Sequence, residues 1–296
     1  MNLLLVYNAH AANGRAVKLL DPILMRFAEK KIRIELRQTE RPGHTVDIVR
    51  DADFARYDGI AAAGGDGTLF EVANGYFQNP SERRIPIGVL PVGTGNAFAR
   101  DLDLDTSRWA EAVDVIAGGK TRKTDAGRFR TGDKTYYFLN IIGLGFVAEV
   151  VKTAHALKWT GNVSYTIGVF HRLVMLKTFR LKIEIDGKVL ERENVFTEIS
   201  NTRYTSNFYM APAAKIDDGL LDVTLLGKAS RRRLLQCFPK IFTGEHVHMP
   251  EVEQFQAQKI VVDADAPKVL APDGELLGST PVTVECLKQA VEVFWR

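Results

Sequence analysis

Apolar and polar positions along this chain follow two different rhythms, and the change falls near residue 120. Residues 3–7, Leu-Leu-Leu-Val-Tyr, form a short apolar run that predicts a strand. Residues 15–31 carry apolar side chains at 16, 19, 20, 23, 24, 27 and 28, the i, i+3, i+4, i+7 spacing of an amphipathic helix, with Pro22 placed to kink or split it. A strand at 32–36, a helical stretch at 46–56, a strand at 59–63, a helix at 68–77 and a strand at 85–90 follow. A helix at 107–117, stopped by Gly118-Gly119, closes the series. Strand and helix in alternation imply a parallel, doubly wound sheet that takes ligands at the carboxyl ends of its strands.

Beyond Lys120 the units become short strands bounded by turns: 135–140, 181–185 followed by Asp186-Gly187, 195–200, 220–226 and 258–263. Helical patterns interrupt them only at 146–157, 162–176 and 230–238. This half predicts an antiparallel sandwich or barrel, with the boundary near Lys123. The domains so read are an α/β domain over 1–123 and a β domain over 124–286. The strand at 290–295 is able to pair with either, so 287–296 is left open to complete the first. No internal repeat and no low-complexity tract is present.

Composition narrows the partners. Of 296 residues, 46% are apolar and 25% charged, an ordinary globular balance. With 39 Lys and Arg against 36 Asp and Glu, the net charge of +3 is too small for sequence-independent binding of nucleic acid, so no nucleic-acid partner is expected. The longest run without a charged residue, 85–99, is 15 residues with two prolines, short of the ~18 apolar residues that cross a bilayer. The first residues lack a basic n-region, and Cys237 and Cys286 form no CxxC pair, so a reducing, cytoplasmic setting is expected.

Three turns carry candidate chemistry. Gly64-Gly65-Asp66-Gly67-Thr68 lies between a predicted strand and a predicted helix; its glycines let backbone approach a phosphate, and the helix aims free N–H groups at the same place. Asp66 suits such a loop if Mg²⁺ sits between carboxylate and polyphosphate; the plain alternative is an N-cap in a β-to-α turn. Gly93-Thr94-Gly95-Asn96 follows the next strand, and Thr94 is a hydroxyl donor for phosphate; alone, this is also just a tight turn. Pro272-Asp273-Gly274-Glu275 places two carboxylates where a base for an acceptor hydroxyl would be needed, although an Asp-Gly turn alone reads first as surface. Asp125 and Asp217-Asp218-Gly219 read as solvated turns, members of a metal network, or both.

These motifs, with 140–145 inside Phe-Leu-Asn-Ile-Ile-Gly-Leu-Gly-Phe, stand in an order that resembles the diacylglycerol-kinase-like lipid kinases, whose superfamily includes sphingosine, ceramide and NAD kinases and phosphofructokinases. The resemblance spans essentially the whole chain. It implies a Rossmann-like N-terminal domain, a C-terminal antiparallel β-sandwich and ATP in the cleft between them. It further implies ATP phosphates on Gly64, Gly65, Asp66, Gly67, Thr68, Leu69 and Phe70 and on Gly93, Thr94, Gly95 and Asn96. Asn8 and Gly14 belong to the first nucleotide-side loop, and Thr39 is near the adenosine. Asp66, helped by Asp125, would organise catalytic Mg²⁺; Asp273 or Glu275 would be the base. A structural Mg²⁺ is expected beside Asp218 with backbone oxygens of Lys215 and Leu220.

Some positions depart from the family pattern. The first loop commonly reads Asn-Pro-x-x-Gly-x-Gly; here Ala9 replaces the proline and Ala12 the first glycine. Ala97 stands where Asp is usual after Gly-Thr-Gly-Asn, as in sphingosine kinases, and Val147 where Gly-Phe-Asp-Ala is common. The implied activity is ATP-dependent transfer of phosphate to the hydroxyl of a membrane lipid such as diacylglycerol. NAD kinase-like action on a soluble substrate, or a nucleotide and lipid sensor with impaired catalysis, are the alternatives. Between 150 and 183, Lys152, Lys158, Arg172, Lys177, Arg180 and Lys182 occur with no acid and with Trp159, Tyr165, Phe170 and Phe179 among them. That stretch predicts peripheral docking of a lipid-using enzyme, against a helix pair with solvated lysines. His246 and His248 complete no metal pattern and are expected at the surface or in caps, Trp109 and Trp159 in packing. A homodimer is left open.

Overall fold

The computed structural model describes residues 1–145, 148 and 178–296. The predicted helices at 146–157 and 162–176, Val147, and the basic positions from Lys152 to Lys177 lie outside the described residues. The chain divides into two compact units, Met1–Ala126 with Tyr137–Leu139 and Lys288–Arg296, and Gly127–Tyr136 with Asn140–Leu287.

In the first unit, β1 (Asn2–Tyr7), β2 (Arg33–Gln38), β3 (Gly59–Gly64) and β4 (Ile87–Pro91) run parallel in the order β2-β1-β3-β4. The end of β14 (Val282–Phe294) continues the sheet beside β4, Val293 opposite Ile87. Strands β3 and β4 are buried along their whole length, which is why they read as unbroken apolar runs, whereas edge strand β2 leaves Arg33, Arg37 and Gln38 exposed. Right-handed crossovers put α1 (Leu20–Glu29) on one face and α2 (His44–Arg50) and α3 (Asp66–Gln78) on the other. The packing agrees: α1 meets α5 (Trp109–Ala117), and α2 meets α3, where the Glu71 carboxylate accepts the N–H groups of Gly43 and Thr45 that open α2.

Several element bounds differ from those expected, each for a local reason. The helix predicted over 15–31 begins only at Leu20, because Ala12, Asn13 and Gly14 adopt left-handed backbone inside the 3-10 run Ala11–Leu19. Pro22 then falls in the first turn of α1, where no N–H is needed, just past the junction with the 3-10 run. The predicted 46–56 helix stops at Arg50; Asp53 turns the chain and caps the short 3-10 run Phe54–Arg56. Helix α3 starts two residues earlier than expected, at Asp66. A short helix that periodicity does not show, α4 (Ala97–Asp101), follows the second glycine turn.

The second unit is antiparallel. β7 (Ile141–Gly145), β8 (Phe179–Ile185), β9 (Lys188–Ser200), β10 (Leu221–Gly227), β11 (Val252–Ala257), β12 (Lys259–Ala264) and β13 (Leu270–Pro272) are joined by the start of β14. Strand β9 is shared along one edge: its first half pairs with β8, Ile185 opposite Lys188, and its second with β7, Ile141 opposite Ser200. Strand β8 buries Phe179, Leu181, Ile183 and Ile185 at alternate positions and exposes Arg180 and Lys182, so these two basic residues sit on the solvent face of a strand. β5 (Thr121–Thr131) and β6 (Lys134–Phe138) pair across Gly132-Asp133, and α6 (Arg231–Lys240) is capped by Ser230 Oγ, which accepts the Arg233 N–H. The fold class read from the sequence, α/β followed by β, is the one observed.

One surface expectation is corrected. His246 is buried in the 3-10 turn Glu245–His248 with Nε2 3.0 Å from Met210 O, and burial lowers its pKa, while His248 is exposed. At three residues per turn, positions two apart face different sides.

Candidate active site

Adjacent parallel strands β3 and β4 end in the two glycine turns, which are packed backbone against backbone. Gly93 N–H donates to Gly64 O at 3.0 Å. A Cβ on Gly93 would lie 2.3 Å from Gly65 Cα, and one on Gly64 would lie 2.2 Å from Thr68 Oγ1, so neither position accepts a side chain without movement. Thr94 at the tip is exposed. Asn96, left-handed at φ 55, donates its amide to Gly93 O at 2.8 Å and to Thr106 Oγ1 at 2.9 Å, and Thr106 Oγ1 donates to Gly93 O at 2.9 Å. Thr106 is thus a positioning residue for this turn that the sequence reading missed.

Asp66 is the first residue of α3, with Gly65 as N-cap in extended backbone. Its Oδ1 accepts the Ala97 N–H at 2.6 Å, so the carboxylate caps α4 and ties the two turns together. The residue keeps partial solvent access at its rim, yet protein surrounds it closely enough that burial pushes its carboxyl up to about 6, against the pull of the Ala97 and Asn96 N–H groups and Arg100. Asn96 Oδ1 is buried with no hydrogen-bond partner among the described residues, and Asp66 and Asn96 line one small recess. A carboxylate and an amide oxygen are the hard donors that Mg²⁺ takes. Among the described residues no three His, Cys, Asp or Glu side chains gather in metal-binding range, so an ion here would complete its shell with ligand oxygens.

The first loop sits on the same edge. Asn8 donates its amide to Thr68 Oγ1 at 3.0 Å, and its Oδ1 accepts the His10 N–H at 3.0 Å. Gly14 closes the left-handed run at φ 81, and Thr39 is buried just beyond β2, its N–H on Tyr7 O at 2.9 Å. Asp125 lies inside β5 and is fully buried, so it is not in a solvated turn as the sequence allowed, and its Oδ1 accepts the Gln289 N–H in β14 at 2.6 Å.

In the second unit, Asp273 and Gly274 are left-handed at φ 45 and 86, which makes the turn after β13 tight. Asp273 is buried; it exchanges two bonds with Ile141, whose N–H reaches Asp273 Oδ1 at 2.8 Å while the Asp273 N–H reaches Ile141 O at 3.1 Å. The turn is therefore locked onto β7 rather than free at the surface. Glu275 is half-buried, its N–H on Pro272 O at 2.8 Å. Asp218 Oδ1 accepts the Leu220 N–H at 3.0 Å in a turn that contains left-handed Gly219, next to exposed Lys215. Burial, with the Asp218 charge adding to it, pushes neighbouring Asp222 up to about 6 against the Gln256 amide.

Residues 2–129 match the diacylglycerol kinase catalytic domain family, and residues 140–295 match the YegS C-terminal NAD kinase beta sandwich-like domain. The chain belongs to the diacylglycerol kinase family. Relatives named diacylglycerol kinase include one from Staphylococcus saprophyticus, 31% identical over 98% of this chain and 94% of its own length, and one from Bacillus subtilis, 29% identical over 94% and 90%. A crystal structure from Bacillus anthracis superimposes with a TM-score of 0.81 at 26% identity, covering 100% of this chain and 97% of that one. A diacylglycerol kinase structure from the same organism, at 0.74 and 23% identity, supports the fold. The chain is accordingly a lipid kinase, a phosphotransferase with an alcohol acceptor. Among the described residues no helix is long and apolar enough to cross a membrane.

Two departures from the diacylglycerol kinase pattern now have structural content. Ala12, at the position of the usual glycine, is held at φ 52, a conformation that suits glycine. Ala97 offers no carboxylate, and its backbone N–H engages Asp66 instead. No periodic signal reveals α4, because five residues are too few to show a helical stripe.

Proposed function

We propose that this lipid kinase transfers the γ-phosphate of ATP to the hydroxyl of a diacylglycerol-type membrane lipid. The observation that supports it most is the contact of the two glycine turns at the ends of β3 and β4, with the first turn of α3 beside them. Backbone N–H groups of Gly67, Thr68, Leu69 and Phe70 at the start of α3, with the Thr94 hydroxyl, hold the phosphates in this reading, and the positive end of the helix dipole favours their charge. Asn8 and Gly14 shape the adjoining loop and Thr39 borders the adenosine. Asp66 and Asn96 would hold Mg²⁺, with Asp125 further along the network; when bound, the ion would neutralise charge on the phosphate oxygens. Lys215 O, Leu220 O and Asp218 would hold a second, structural cation.

The chemical step makes one bond and breaks one. The acceptor oxygen attacks Pγ, the bond from Pγ to the bridging oxygen of ADP breaks, and the hydroxyl proton passes to a carboxylate of the Asp273-Gly274-Glu275 turn. Asp273 suits a precise role because Ile141 fixes its orientation; Glu275 retains more access to solvent. Phosphate transfer from ATP should be measured against diacylglycerol, sphingosine and NAD. Lipid-dependent turnover is expected, lost by 10³-fold or more, roughly, in Asp66→Asn and in Asp273→Asn with Glu275→Gln, at unchanged circular dichroism. Turnover with NAD alone, ATP binding without transfer to any acceptor, or full activity in both variants would refute this assignment.

A further inference from the structure

An aromatic and basic surface beside α6 plays no part in the proposed chemistry. Phe208, Phe238 and Phe242 meet edge to face, with centroids 6.4, 5.1 and 5.9 Å apart. Phe242 is 46% exposed, and Phe208 rests on the buried cluster of Phe196 and Met210, so the triad is fixed to the core. Helix α6 opens Arg231-Arg232-Arg233 with no acid in its first turn, an arrangement that opposes the helix dipole. Arg233 is neutralised by Glu251 through bonds of 2.6 and 2.8 Å. Arg231 and Arg232 are exposed, and no acidic side chain among the described residues pairs with them.

We propose that this face docks on an anionic bilayer, with Phe242 entering the interface and Arg231 and Arg232 at the headgroups. An exposed aromatic ring backed by a fixed triad, on an element that also carries uncompensated cations, is the composition that interfacial binding uses, and an anionic surface also relieves the charge that the helix start leaves unpaired. The choice of a bilayer rests on the lipid-kinase reading; the binding test below contains neither ATP nor acceptor, so the two fail separately.

The experiment is co-sedimentation of the full chain with sucrose-loaded vesicles of phosphatidylcholine, with and without phosphatidylglycerol. Binding is expected with phosphatidylglycerol and should weaken with salt. Arg231→Gln with Arg232→Gln should lower the partition coefficient about 25-fold, at about fivefold per charge, and Phe242→Ser about tenfold. Both should stay folded, with an unchanged circular dichroism spectrum at the assay temperature. Phe242→Trp should gain fluorescence that brominated lipid quenches. Unchanged partition in these variants, absence of quenching, or a dimer that Phe242→Ser dissociates while vesicle binding persists would overturn the proposal. Loss of lipid turnover with vesicle binding intact would instead strike the kinase reading.

Discussion

Gly65 and Gly93 touch each other, yet alanine at the two positions should have unequal consequences. A Cβ on Gly93 would sit 2.3 Å from Gly65 Cα, 2.7 Å from Gly65 N and 2.9 Å from Asn96 Oδ1, whereas one on Gly65 would sit 3.4 Å from Gly93 Cα and 4.0 Å from Thr94 N. Ordinary contact begins at 3.4 Å, so Gly93→Ala must separate the turns by 3.4 − 2.3, about 1.1 Å, while Gly65→Ala needs no movement. The closest neighbours are backbone, and the Gly93 N–H bond to Gly64 O at 3.0 Å resists the shift. Overpacking of ~1–3 kcal/mol and a weakened hydrogen bond of ~1 kcal/mol bring the cost to about 3 kcal/mol for Gly93→Ala, against about 0.5 kcal/mol or less for Gly65→Ala. A displacement of that size in a phosphate loop also lowers kcat/KM about 100-fold. Urea unfolding of both variants, with ATP-dependent lipid phosphorylation for Gly93→Ala, measures this. Equal stabilities would show that the turns are not in contact and would remove the main support for the shared phosphate site.

Two further outcomes follow from strained or buried groups. Ala12→Gly should raise stability by up to about 1 kcal/mol, because φ 52 costs alanine more than the added chain entropy costs glycine; a lower urea midpoint would contradict the left-handed loop. Glu198 is buried with Thr205 Oγ1 and Ser200 Oγ donating to it at 2.5 and 3.1 Å, and burial pushes its carboxyl up to about 7. The unfolded chain releases that proton near pH ~4.3, so the folded state binds more protons in between. Stability attributable to this group therefore falls as pH rises from about 4 to about 7 and is level above. Glu198→Gln should remove that slope in urea midpoints taken at about pH 5 and about pH 8, and a slope that persists would assign it elsewhere.

The sequence by itself determined the alternation of elements and the parallel sheet, because strands buried on both faces, such as β3 and β4, must be apolar throughout and the helices between them must carry a stripe. It also marked the glycine turns, since only glycine allows such backbone approach. Strand β11, Val-Glu-Gln-Phe-Gln-Ala, escaped notice because its burial comes from β10 alongside it rather than from its own composition. Asp66 as the cap of α4, Thr106 under the Gly93 turn, His246 beneath Met210 and Asp273 locked onto Ile141 were decided only by tertiary structure. Each joins residues whose pairing depends on how separate segments are packed, and local periodicity carries no term for contacts across such distances along the chain.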